Sequence, residues 1–270
     1  WASELADAAL FEAVRRAAFD QEMCGRGENK QRALVALYSI DRDRARPWLL
    51  KIAKDDDLAT GWKHDPDNKA VAGGHWMSGV CIIGQMAAEA GWREFIQPLS
   101  KALESPYCGD HHRMSILRSL SELVRPGDAQ AKAAVRASLE RSYPYMLAQA
   151  ARAAGEIEDA ASIPRLRDLL DHSFLVVRRN AAVALGRLGD VASAPKLRRS
   201  LFQIRSKELL DHTKYGTEIC LDENMRAAAA EGLGLMQDQE SLPALQKALA
   251  HEPVPWVRGE IEEALERIGE

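Results

Sequence analysis

The segment VVRRNAAVALGRLGDVASAPKLRRSL, Val176–Leu201, decides the architecture. Val177, Ala181, Leu185 and Leu188 recur at i, i+4, i+8 and i+11, the buried stripe of an amphipathic helix. Gly186 and Gly189 stand near its end, where helices commonly stop. Pro195 then opens a second helix, because the first helical turn needs no donor at that position. Leu197 and Leu201 supply that helix with an apolar side of its own. The alanines at 181, 182 and 184 leave room for a neighbouring backbone to come close, and Gly186 fits a crowded contact better than a bulky residue would.

The same pattern recurs along the chain. Shifted back by 31 residues, AARAAGEIEDAASIPRLRDLL sets Ala154 on Leu185, Asp159 on Asp190, Pro164 on Pro195 and Leu166 on Leu197. Shifted forward by 48, AAEGLGLMQDQESLPALQKAL supplies Leu233, Asp238, Pro243 and Leu245. ALVALYSIDRDRARPWLLKIA aligns Leu37 and Pro47, looser copies centre on Ile83 and Leu120, and a half-copy centres on Leu265. The intervals between these anchors are 46, 37, 34, 31, 48 and 32 residues. A helix pair of thirty-odd residues with two insertions accounts for all of them. One such pair cannot bury its apolar face alone, so it must stack on the pairs before and after it.

These motifs, VRRNAAVALGRLGD and MRAAAAEGLGLMQD, each followed by a Pro-x-Leu, resemble HEAT repeats of the bacterial type named after phycobilisome lyases. The resemblance runs from about Glu28 to Glu270. It implies an all-α fold, a right-handed α-α superhelix of about six helix pairs in a single domain spanning 1–270. A capping helix is expected within 1–27, near Ser3–Glu22, and a last single helix near Val257–Ile268. The insertions are expected at about 55–74 and 203–224.

Totals narrow the function. Hydrophobic residues make 46% of the 270 and charged residues 28%, a globular composition. The longest apolar run, near SGVCIIGQMAA, is too short and too polar to span a bilayer, so membrane insertion is not expected. Trp1 opens the chain with no charged-then-apolar leader, the expectation for a processed product or a piece of a longer polypeptide. Four scattered cysteines, at 24, 81, 108 and 220, form no CxxC pair and read as isolated thiols. A net charge of −4 gives no chain-wide footprint for nucleic acid. Charge is nonetheless uneven: Arg165–Lys207 holds ten Lys/Arg against three Asp, whereas Glu208–Glu270 holds five against fourteen Asp/Glu.

The candidate chemistry is sparse. The first insertion, Asp55–Gly74, mixes Asp, Asn and Gly but lacks calcium-loop spacing. His75 and His112 each lie eight residues before an anchor, and Cys108 and His111 add further donors, which makes these four the candidate metal ligands. Deoxyhypusine hydroxylases of HEAT-repeat build carry His-Glu pairs for iron; the equivalent positions here are Arg179-Asn180, Ala227-Ala228 and Gly259-Glu260, so that activity is not expected. No cofactor is expected. Trp48, Trp62, Trp76 and Trp92 are expected to pack the first insertion against the stack.

The basic block is the better pointer. Arg165 and Arg167 follow Pro164, and Lys196, Arg198 and Arg199 follow Pro195, so register stacks them on consecutive second helices. In solenoids of this kind the second helix usually lines the concave side. Such a stripe suits an acidic surface on another protein, unless its cations are spent on nearby Asp168, Asp171 or Asp190. The sequence therefore predicts a non-enzymatic, protein-binding scaffold or adaptor. The alternatives are a subunit of a phycobilin-lyase-like enzyme, a metal-dependent HEAT-repeat enzyme, and a regulatory module of a longer chain.

Overall fold

The computed structural model describes residues 2–19, 27–54, 78–105, 108–202 and 222–269. They form fourteen α-helices, four 3₁₀ turns and no strand. The chain divides into two compact units, residues 1–134 and 135–270.

The first unit contains α1 (Ala2–Phe19), α2 (Gly27–Ile40), α3 (Arg42–Lys54), α4 (Ser78–Ala90), α5 (Ile96–Glu104), α6 (Asp110–Leu123) and the start of α7 (Ala129–Ser138). Helix α1 packs on α2, α2 on α4, and α4 on α6, while α3 and α5 flank that row as second helices. Phe11, Leu37, Leu49, Ile83, Phe95, Leu99 and Leu120 are fully buried between them. Trp92 is buried too, stacked on Phe95 and edge-on to Tyr38, each at 5.7 Å. Trp48 lies beneath the Arg15 guanidinium, 4.5 Å from its ring centre. Trp62, Trp76 and the first insertion lie outside the described residues.

The second unit repeats the pair more regularly. Its first helices are α8 (Pro144–Glu156), α10 (Leu175–Arg187), α12 (Asp222–Met236) and α14 (Pro255–Gly269). Its second helices are α9 (Ile163–Leu169), α11 (Ala194–Ser200) and α13 (Leu242–His251). Consecutive first helices pack side by side, and each second helix packs on the first helix that follows it. Pro164, Pro195 and Pro243 sit in the opening turn of the second helices, as the register predicts. The second insertion is expected to run to 224, but α12 begins at Asp222, so its last three residues are helical; 203–221 lie outside the described residues.

Small residues set the spacing of the first helices. A methyl added to Gly186 would stand 2.6 Å from the Gly232 carbonyl oxygen, and one on Gly155 or Gly234 would stand 2.7 Å from the Cα of Ala184 or Ala264. Gly189 does a different job. It takes a φ of +64° and ends α10, while Glu158 and Gln237, at the same register, adopt +53° without being glycine. The next residue, Asp159, Asp190 or Asp238, returns its N–H to the carbonyl of Ala154, Leu185 or Leu233, which ends the helix in a left-handed turn.

Arginines of the first helices reach back to carbonyls at, or a few residues beyond, the ends of the preceding second helices. Arg113 donates to the carbonyls of Leu103 and Ser105, Arg178 to those of His172 and Ser173, and Arg258 to that of Leu249. Carbonyls at a helix C-terminus lack partners within the helix and carry partial negative charge, which a guanidinium satisfies. Arg226 stands at the same register position but turns to Glu252, donating through Nε at 2.6 Å and Nη2 at 2.8 Å.

Candidate binding surface

The five basic residues lie on α9 and α11, but four of them already have partners. Arg167 forms a two-pronged pair with Asp190, and Arg198 donates to Asp238 at 2.8 Å and to the Ser241 hydroxyl at 3.4 Å. Lys196 pairs with Asp171, and Arg165 donates to the Leu139 carbonyl at 3.2 Å while lying 3.5 Å from Glu140. Arg199 is exposed and makes no ion pair among the described residues.

Two of those pairs belong to a ladder. Asp159, Asp190 and Asp238 are buried at the same turn of successive repeats, and each accepts from the serine three residues on, Ser162, Ser193 or Ser241. Each also accepts from an arginine of the preceding second helix: Arg136, Arg167 or Arg198. A buried carboxylate is tolerated only when its lone pairs are satisfied and its charge is matched. The ladder therefore ties each repeat to the next. Gln246 occupies the following arginine position, so the series stops there. The D-x-x-S recurrence is its sequence signature, readable once the aspartates are aligned.

What remains open on this layer is a smaller patch. Arg199 has Lys247 as its register counterpart on α13, and Lys247 lies 5.6 Å over the ring of Phe202, which is 43% exposed. Lys247 and Phe202 were not among the predicted site residues; Lys247 was readable as the counterpart of Arg199, whereas the exposure of Phe202 was not.

No group of three or more His, Cys, Asp or Glu among the described residues is arranged to hold an ion. Cys108 is buried, His112 is half-buried with its pKa pushed down by that burial, and His111 is exposed. His75 lies outside the described residues. Cys81 is buried as well, and burial pushes its thiol up to about 11, so it is not a thiolate at neutral pH.

The carboxylates of the arginine pairs make stability depend on pH. The Arg167 guanidinium holds Asp190 below the usual carboxylate range, and the Arg226 guanidinium does the same for Glu252. Each binds fewer protons folded than unfolded, so its contribution is complete above the unfolded values of about 3.9 and 4.3. It is lost as pH falls through the depressed folded values. Urea midpoints should accordingly drop below about pH 4, after a shallower decline that begins at about pH 6.5, where half-buried His112 and His172 take up protons less readily folded than unfolded. Glu252→Gln should flatten that drop, and an unaltered acid limb would show that the pair does not set it.

Comparison with known proteins follows the same lines. The model for HEAT repeats matches residues 135–203 and 220–270. No curated protein matches the chain in sequence. Among solved structures, the complex of CpcE and CpcF of phycocyanin lyase from Nostoc sp. PCC7120 aligns over 96% of this chain and 94% of that one, with 17% identity and a TM-score of 0.51. An engineered protein aligns over 98% of this chain and 69% of its own, with 17% identity and a TM-score of 0.59. At such identities the likeness establishes the fold alone. Among the described residues no helix is long and apolar enough to cross a membrane.

Proposed function

Because HEAT repeats match residues 135–203 and 220–270, we propose that the chain acts as a non-enzymatic scaffold that binds another protein. The partner presents an acidic surface to the second-helix layer around Arg165, Arg167, Lys196, Arg198 and Arg199, with Lys247 and Phe202 extending the patch. One observation carries this reading. Buried positions hold constant from repeat to repeat while half-buried and exposed second-helix positions change. Leu166, Leu197 and Leu245 are all buried, but Arg165, Lys196 and Ala244, or Asp168, Arg199 and Lys247, differ in charge at equivalent sites. A surface that varies over an invariant core is how repeat proteins acquire specific partners.

The ladder dictates how the surface is tested. Reversing Arg198 would set a carboxylate against buried Asp238 and disturb the fold, whereas Arg199 makes no ion pair among the described residues. Arg199→Glu combined with Lys247→Glu should weaken salt-sensitive capture of an acidic partner from the native source by about tenfold or more, with the thermal midpoint unchanged. Equal capture by the double variant would remove this patch from the account. A lyase-subunit role is the competing reading, and a change in bilin absorbance on mixing with the chain would favour it.

A further inference from the structure

Just past the end of α11 an aromatic ring stands in solvent beside two cations. Phe202 is 43% exposed, and the Lys247 ammonium of α13 lies 5.6 Å over its ring. Arg199 stands one tight turn back, its carbonyl accepting the Phe202 N–H at 3.2 Å. Residues three apart in such a turn share one face. Arg199 and Lys247 are both exposed, and neither makes an ion pair among the described residues. Their neighbours Lys196 and Arg198 are by contrast held by Asp171 and Asp238. The ring attracts the Lys247 ammonium through its negative face, so that charge is positioned before any partner arrives.

We propose that this corner of the second-helix layer reads a short acidic segment of a partner protein in which one large apolar residue, Leu or Phe, stands between carboxylates. The apolar side chain covers the open part of the Phe202 ring, and the carboxylates pair with Arg199 and Lys247. This rests on the protein-binding reading above and adds to it the pattern the partner must carry. The mixed character of the patch names the occupant. A purely acidic surface would meet both cations but leave the ring in water, forgoing the gain from covering it. A purely apolar surface would strip water from two charges and give them no counter-charge. Single-stranded nucleic acid also offers flat rings and anions. It brings a run of phosphates, however, and the exposed carboxylates of Asp168, Asp171 and Glu240 on the same layer repel such a run. Two carboxylates match the two unpaired cations one for one. Because Lys247 already rests on the ring, pairing it costs less side-chain freedom than ordering an untethered lysine would.

Three fluorescein-labelled peptides, titrated with the full chain and read by anisotropy, test this. The first carries a Leu flanked on each side by a pair of Glu, the second has Ser in place of the Leu, and the third has Gln in place of every Glu. The first should bind at least about tenfold tighter than either of the others. Its advantage over the Gln peptide should shrink at high salt, while its advantage over the Ser peptide persists. Phe202→Ser should lower the affinity of the Leu peptide to that of the Ser peptide with the melting curve unchanged, and Phe202→Tyr should keep it. Equal affinity for the Leu and Ser peptides, or a preference for Leu that survives Phe202→Ser, overturns the proposal. So does tighter binding of a short oligothymidine than of the Leu peptide. Native capture that is lost in the Arg199/Lys247 double variant but kept by Phe202→Ser would also overturn it, and would leave the scaffold reading standing.

Discussion

Arg226→Leu should cost the fold about 3–5 kcal/mol, the penalty of leaving a buried carboxylate without its counter-charge. Arg226 is 9% exposed and Glu252 6%, and their paired hydrogen bonds at 2.6 and 2.8 Å are backed by the Val254 N–H at 3.1 Å. Removing only the guanidinium forces Glu252 either to stay charged in a poorly solvated place or to take up a proton. Adding Glu252→Leu should recover most of the loss, because an apolar pair of similar volume avoids the uncompensated charge. Urea unfolding of the two variants measures both steps. A single variant as stable as the parent would mean that water reaches Glu252 readily.

Gly186→Val should be comparably severe, at about 3 kcal/mol, the upper end of what overpacking a well-filled core typically costs. The atom at 2.6 Å from the new Cβ is a backbone oxygen of α12, and the Gly232 Cα follows at 2.7 Å. No side chain can rotate out of the way, so α10 and α12 must separate along a seam also lined by Ala182. Gly259→Ala is the control, since nothing lies within 4 Å of a methyl there. Thermal melts should show a large fall for the first substitution and none for the second. Equal melts would place the helices farther apart than this packing requires.

Much of the architecture was legible before any coordinates. Period, prolines and small residues place six helix pairs, an opening helix and a closing one, because each depends on local geometry or on a face every repeat must bury. The Pro195 turn and the Gly186 contact follow from the residues themselves. The basic stripe did not translate so directly. Register put Arg167 and Arg198 on one layer, yet their charges are bound to Asp190 and Asp238, from turns 23 and 40 residues away.

The sequence alone determined the repeat, since its apolar spacing admits only stacked helix pairs. Tertiary structure decided which charges remain available. Whether Arg167 meets an aspartate or Arg226 turns to Glu252 depends on which turns the stacking brings together. Electrostatic pairing is set by distances of a few ångströms between residues far apart in the chain, and periodicity carries no information about them.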